Sequence, residues 1–175
     1  FSEYLIELLE DIDPLIVERA IIASGKLLDP RLISILVKKL AITSLQVTTS
    51  QSLRHFGEAA LKELDKGLTS SEATRQEKNH IIETIMEIGG KQAIEILLRH
   101  MEIAQPELRH KVRLSLAKLN FQAEADDQYI FVNSLNDEVQ LITWLLSATN
   151  DLRDEPRFKT LRAALANELE VRRDS

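Results

Sequence analysis

The chain reads as an all-α protein, an α-α superhelix of stacked antiparallel helical hairpins with a helical cap at its C-terminal end. Three observations predict this. Gly25, Gly57 and Gly89 recur every 32 residues and Asn120 follows 31 after the last, each closing a segment of helical periodicity. Self-similarity at such a period marks stacked supersecondary units. The apolar positions also keep one phase. In the first helices the triplets are Val17/Ile21/Ser24, Thr49/Leu53/Phe56, Ile81/Ile85/Ile88 and Val112/Leu116/Leu119, spaced i, i+4, i+7. In the second helices they are Ile33/Leu36/Leu40, Leu61/Leu64/Leu68 and Ile94/Leu97/Met101, spaced i, i+3, i+7. Each triplet is one stripe along a helix. Finally, glycine (5) and proline (4) are scarce in 175 residues, and no run shows the alternation of a strand. Aromatic residues are only 5% against 44% hydrophobic, so aliphatic side chains must carry the core.

Each element has a local reason. Residues 1–12 hold a short helix over 2–10, with Tyr4, Leu5, Leu8 and Leu9 on one side. The first repeat covers 13–41. Asp13-Pro14 starts it, aspartate as N-cap and proline at the first helical position. The helix is expected to run to about Ser24 and stop at Gly25, which takes the left-handed terminating conformation cheaply. Asp29-Pro30 then starts a second helix reaching about Ala41. The second repeat covers 44–68. Its Thr48-Thr49-Ser50-Gln51 is polar where the other repeats are apolar, which predicts an irregular first helix. Residues 69–79 form the clearest linker, and Thr69 with Glu72 has capping-box spacing. The third repeat covers 72–103, and Gly89-Gly90 adds one residue to its turn. The fourth, 106–125, opens at Gln105-Pro106. Beside the first-helix stripe runs a column of small residues, Ala20, Ser52, Thr84 and Ser115, which would let neighbouring helices approach closely.

Residues 126–175 read as capping helices over the open end of the stack. Tyr129, Val132, Asn136, Val139, Ile142 and Leu146 suggest a helix longer than its predecessors, which Asn136-Asp137 could break in two. Trp144 lies in an apolar run and reads as core. A last helix from near Pro156 holds Phe158, Leu161, Leu165 and Leu169. The whole of 1–175 is expected to form one domain. Beginning at Phe1 and ending at Ser175, it is expected to be a fragment of a longer protein.

The run from Asp13-Pro14 through Arg19-Ala20 and Ser24-Gly25 to Asp29-Pro30-Arg31-Leu32 resembles a HEAT repeat of the short bacterial kind also found in bilin-lyase-like proteins. Phe56-Gly57-Glu58-Ala59-Ala60-Leu61 and Ile88-Gly89-Gly90-Lys91-Gln92-Ala93-Ile94 are similar to the turn of that family. The resemblance covers roughly residues 13–121 and implies the fold rather than a function. A narrower resemblance rests on arrangement. The hairpins are followed by Leu135-Asn136-Asp137-Glu138, then Leu141-Ile142-Thr143-Trp144-Leu145-Leu146, and Leu165-Ala166-Asn167-Glu168-Leu169 with Arg172. This order looks like the soluble HEAT region of bacterial membrane proteins that carry an ADP/ATP-translocase-like transporter. Some of those proteins also carry a cyclic-nucleotide-binding domain. The resemblance implies a cytoplasmic regulatory appendage of such a protein, not a segment that transports anything.

Little in the chain points to chemistry. There are no cysteines, so disulfides and thiolate metal sites are excluded. His55, His80, His100 and His110 never stand three or four residues apart, so no helical histidine pair for a metal exists. His100 and His110 flank one turn and read as surface histidines near helix ends. Gly89-Gly90 lacks the lysine and hydroxyl residue of a phosphate loop, and Asp126-Asp127 reads as a solvated helix start. No catalytic, cofactor-binding or metal-binding residue is assigned, and no enzyme activity or cofactor is expected. No uncharged stretch reaches the roughly 18 apolar residues of a membrane span, so this segment is not expected to enter a membrane.

Charge bears on partners. The net charge of −6 argues against general nucleic-acid binding. It is unevenly spread. Residues 1–13 carry Glu3, Glu7, Glu10, Asp11 and Asp13 with no base, and residues 14–40 carry five bases against two acids. On one helix Arg109, His110, Lys111, Arg113 and Lys118 cluster, with Arg109 and Arg113 on a shared face. Together with Arg99 and His100 they could hold an anion, or form an exposed face balanced by Glu102 and Glu107. The expected function is a non-catalytic protein-interaction scaffold, its groove lined by the second helices. Candidate binding residues are Lys38, Lys39, Lys62, Lys66, Arg99, Arg109 and Arg113. The expected partner is another protein or a neighbouring domain of the same polypeptide, in the cytoplasm. The alternatives are a bilin-lyase-like protein acting on a chromophore and a HEAT-type nucleic-acid binder.

Overall fold

The computed structural model describes residues 1–103, 106–123, 125–152 and 158–173. Among these the protein is all-helical, with no strand. The α-helices are α1 (Ser2–Leu9), α2 (Pro14–Leu27), α3 (Ile33–Lys39), α4 (Gln46–Phe56), α5 (Glu58–Thr69), α6 (Arg75–Ile88), α7 (Gly90–Ile103), α8 (Pro106–Lys118), α9 (Ala125–Asp151) and α10 (Lys159–Arg173). Short 3-10 turns at Pro30–Leu32 and Thr43–Leu45 lead into α3 and α4. The chain divides into two compact units, Phe1–Gln122 and Ala123–Ser175.

In the first unit the helices form two rows. α2, α4, α6 and α8 pack side by side, and α3, α5 and α7 make the second row against them. The predicted stripes are what the rows bury. Ile21, Ser24, Leu53 and Ile85 are inaccessible to solvent, as are Leu36, Leu64 and Leu97 of the second row. Each such aliphatic side chain contributes roughly 1.5–3 kcal/mol. Ile88, Ile94 and Leu119 are half-buried, so the stripe thins toward the later helices. The small-residue column is buried throughout, at Ala20, Ser52, Thr84 and Ser115.

Gly25 does not end its helix. α2 continues past it to Leu27 and is ended by Leu28, which adopts φ 57° and ψ 32°. The stop comes from Asp29-Pro30. Proline disfavours helical backbone in the residue before it, and Asp29 is extended at φ −78°, ψ 117°. Gly25 is instead a packing residue. A Cβ placed there would lie 2.9 Å from Ser52 Oγ and 3.0 Å from Ser52 Cα. Gly57, Gly89 and Asn120 do turn the chain, with φ of 58°, 69° and 53°.

Two further expectations are corrected. The polar stretch Thr48–Gln51 lies in a regular helix, α4. Tertiary contacts override weak local propensity here: Ser52 Oγ donates to the Ile21 carbonyl at 2.8 Å and Gln46 Nε2 to the Leu40 carbonyl at 3.0 Å. The capping box is not Thr69 with Glu72. Thr69 closes α5, and the box forms at Thr74 and Glu77, where the Glu77 amide donates to Thr74 Oγ1 and the Thr74 amide to Glu77. The predicted linker thereby shortens, because α6 has begun by Arg75.

In the second unit α10 packs on α9. α9 runs 27 residues, through Asn136-Asp137 without a break. Trp144 is not core: it is 61% exposed, while Leu145 beside it is buried. The helix start expected near Pro156, and the opening at Gln105, lie outside the described residues.

Two core positions yield predictions. Gly25→Val should lower stability by about 1–3 kcal/mol through overpacking against Ser52, measured by urea unfolding. An unchanged midpoint would mean that α2 and α4 have slack. Thr49 occupies a fully buried stripe position, and its Oγ1 has no hydrogen-bond partner among the described residues. Thr49→Val replaces that stranded hydroxyl with a methyl group and should raise stability by about 1–3 kcal/mol; a lowered melting temperature would show that the hydroxyl is satisfied.

Candidate functional site

The second row makes a cleft. It lies between α3, α5 and the first turns of α6, with a volume of roughly 530 Å³. Its floor is apolar. Ile81 and Val37 both crowd against Gly67, since a Cβ there would stand 2.8 Å from Ile81 Cδ1 and 3.3 Å from Val37 Cγ1. Its walls are polar, made by Ser34 and Lys38 on α3, Glu63 and Lys66 on α5, and Ser70, Glu72 and Glu77 beyond. The mixture of two ammonium groups, three carboxylates and an apolar floor suits a polypeptide, which offers backbone amides, carbonyls and side chains of either charge.

Of the seven predicted binding residues, Lys38 and Lys66 line this cleft together. Lys66 is exposed and pairs with Glu63 at 2.7 Å. Lys62 is exposed on α5 but does not line it. Lys39 turns the other way: its side chain is 14% exposed and pairs with Glu10 at 3.6 Å, tying α3 to α1. Arg99 bonds Asp65 at 2.6 Å, joining α7 to α5. Arg109 is half-buried, and Arg113 approaches His110 Nδ1 at 3.5 Å on the same helix.

Part of the basic group around α8 reaches across to acids on neighbouring helices. Lys111 bonds Glu83 on α6, and Arg99 and His100 share the carboxylate of Asp65. The predicted counter-acids Glu102 and Glu107 lie outside the described side chains. His100 is not a surface residue; it is buried, with Nε2 2.9 Å from Asp65 Oδ1. Among the described residues no group of three or more histidines and carboxylates could hold a metal ion. No helix of the described residues is long and apolar enough to cross a membrane.

Two carboxylates are electrostatically distinct. At the α1 end, the Arg31 guanidinium and then the Ser2 hydroxyl hold Asp29 far below the usual carboxylate range. Arg31 Nη2 lies 2.7 Å from Asp29 Oδ2, and Asp29 in turn raises Arg31. Burial pushes Glu83 up, but bonds to Lys111 and charge from Lys111 and His80 outweigh it, so its net shift is downward. Both arrangements clip helices together; neither faces the cleft.

Sequence reasoning did not find the cleft's carboxylates and serines, because they come from three segments that only the packing brings together. One signal was present. Gly67 stands between Leu64 and Leu68, where a helix former would be expected, and glycine inside a helix costs roughly 1 kcal/mol against alanine. Such a glycine marks a close approach. No protein-family model matches the chain, and no curated protein matches it.

The Glu83 clip gives a pH prediction. A carboxylate whose folded pKa is depressed stabilises the fold above its unfolded value, and that contribution fades as pH falls through the folded one. Lys111→Met removes the main cause, so it should cost under about 1 kcal/mol at neutral pH, both partners being partly solvated. The gap in melting temperature between wild type and variant should hold above the ordinary glutamate value of 4.5 and close below it. A gap independent of pH would show that Lys111 acts through packing alone.

Proposed function

We propose that the chain is a HEAT-like α-α superhelix serving as a non-catalytic protein-interaction module. The cleft between α3, α5 and α6 receives a segment of a partner protein or of a neighbouring domain of the same polypeptide. The observation that carries this reading is the pairing of Lys38 and Lys66 on one apolar-floored cleft of the second row. Supporting the superhelix are the two rows of helices and the buried stripes that recur in phase. Such stacks expose an extended surface whose side chains can vary without disturbing the core. The narrower resemblance supports reading the module as a cytoplasmic regulatory domain of a bacterial membrane protein with an ADP/ATP-translocase-like transporter.

The test reverses the two lysines. Lys38→Glu with Lys66→Glu should leave the helical circular dichroism and melting temperature unchanged, because both side chains are exposed. It should weaken capture of partner proteins by roughly tenfold or more, since like charges then face the partner. Recovery of the same proteins at the same yield by wild type and variant would exclude this cleft as the binding surface.

A further inference from the structure

The second unit leaves an apolar stripe of α9 uncovered. Val132, Leu135, Val139 and Leu146 are 53–60% exposed, and Ile142 between them is half-buried. These five residues follow one another at steps of 3, 4, 3 and 4. At about 100° per residue the stripe lies roughly 110° round the helix from Ser134 and Leu145, the buried residues of α9. α10 packs on α9, yet leaves the stripe open. α9 therefore presents one face that the chain covers and a second, apolar face that it does not. The second is continuous over about 21 Å, from Val132 to Leu146. Contiguous exposed apolar surface of this kind marks an interaction site.

The spacing selects a helix as the occupant. In heptad terms Val132, Val139 and Leu146 take the a positions and Leu135 and Ile142 the d positions. Valine at a with leucine at d favours two parallel strands. Charge then selects a second copy of the same helix. The seam holds no charged residue, and its e positions, Asn136 and Thr143, are uncharged. Glu138, at g, would face the second copy's Thr143 in a parallel pair, not a like charge. Asp137 and Trp144 lie at f, away from the seam. α9 has no lysine or arginine. It thus lacks both the complementary flanking charges by which coiled coils choose a different partner and the opposed like charges by which they reject themselves. The area is sufficient: a two-heptad seam with its flanks buries on the order of 1,000 Å² over both copies, at the low end for specific pairs. We propose that the α9 stripes of two copies pair in parallel and in register, making a twofold-symmetric, reversible dimer.

Sedimentation equilibrium of the whole chain tests this. It should show a monomer–dimer equilibrium at micromolar concentration, little changed by salt because the seam carries no charge. Val139→Glu sets two carboxylates against each other at the centre of the seam and should weaken the dimer by roughly tenfold or more. Trp144→Glu is the control. Trp144 is as exposed as Val139, 61% against 60%, but lies at f, so its variant should dimerise like wild type. Both changes are at exposed positions, so at dilutions where wild type is monomeric the melting temperatures should match. The chain has no cysteine of its own. Val139→Cys should therefore give a disulfide-linked dimer on a non-reducing gel, because an in-register parallel pair brings the two sulfurs together; Trp144→Cys should not. A wild type that stays monomeric overturns the proposal and leaves the stripe to another protein or a lipid surface. So does a dimer that survives Val139→Glu, one that Trp144→Glu abolishes, or the absence of the Val139→Cys cross-link. A lowered melting temperature of dilute Val139→Glu also overturns it, since the stripe would then be covered within the chain.

Discussion

The first unit depends on how closely helices of one row approach each other, and that distance is set by small side chains. α2, α4, α6 and α8 each present a small residue to the row, Ala20, Ser52, Thr84 and Ser115, all buried. At α2 the approach is close, because a Cβ at Gly25 would lie 3.0 Å from Ser52 Cα. Close approach brings the large side chains on either side into full contact, which is where the hydrophobic stabilisation lies. Three of the four small residues carry hydroxyls, which would be costly to bury unpaired. Each finds an acceptor near home. Ser52 donates to the Ile21 carbonyl on α2, and Thr84 and Ser115 to the carbonyls four residues back, at 2.8 and 2.9 Å. The row is therefore narrow and polar-satisfied at once.

Hydrogen-bonded and ionic clips line the edges of this core, and their role differs from that of the stripes. Thr48 bonds Glu18 across α2 and α4, Ser50 bonds Glu87 across α4 and α6, and Lys111 bonds Glu83 across α6 and α8. In the second row Asp65 holds both Arg99 and His100. Partly exposed pairs of this kind contribute about 0–1 kcal/mol each, far below the stripe residues. Their geometry matters more than their strength. Each joins one helix to the next of its row, so sliding one helix by a turn would break the clip while leaving apolar contacts roughly equivalent. The stripes make the stack stable and the clips select its register.

The fold was legible because its information is local. The stripes, the Asp-Pro starts at Asp13 and Asp29 and the turns at Gly57, Gly89 and Asn120 all follow from residues within one or two helical turns of one another. Reading failed where a residue's role is set by something distant. Gly25 looks like a terminator by its register, yet it is a packing residue because Ser52 lies over it. Thr48–Gln51 looks like a weak helix, yet partners on α2 and α6 stabilise it. Thr69 and Thr74 both offer capping chemistry, and local propensity did not choose between them. The candidate site was less legible for the same reason. Lys38 and Lys66 were identified as groove residues from their place on second helices, but Lys39, one position away, faces α1 instead. A single step along a helix turns a side chain by about 100°, so a face assigned from composition alone mixes cleft-lining residues with those that tie helices together.

This separation explains how the surface can vary while the stack holds. Residues that make the stack are buried and chemically narrow: aliphatic, small, or clipped. The cleft between α3, α5 and α6 uses what remains, with two ammonium groups and three carboxylates around a floor packed closely at Gly67. Under the proposed function a partner segment would have to match charges of both signs there. Because α3, α5 and α6 belong to one packed unit, the backbone that carries these groups is held by the core. A scaffold whose interior is set by local contacts can thus change the chemistry of such a surface without disturbing the core.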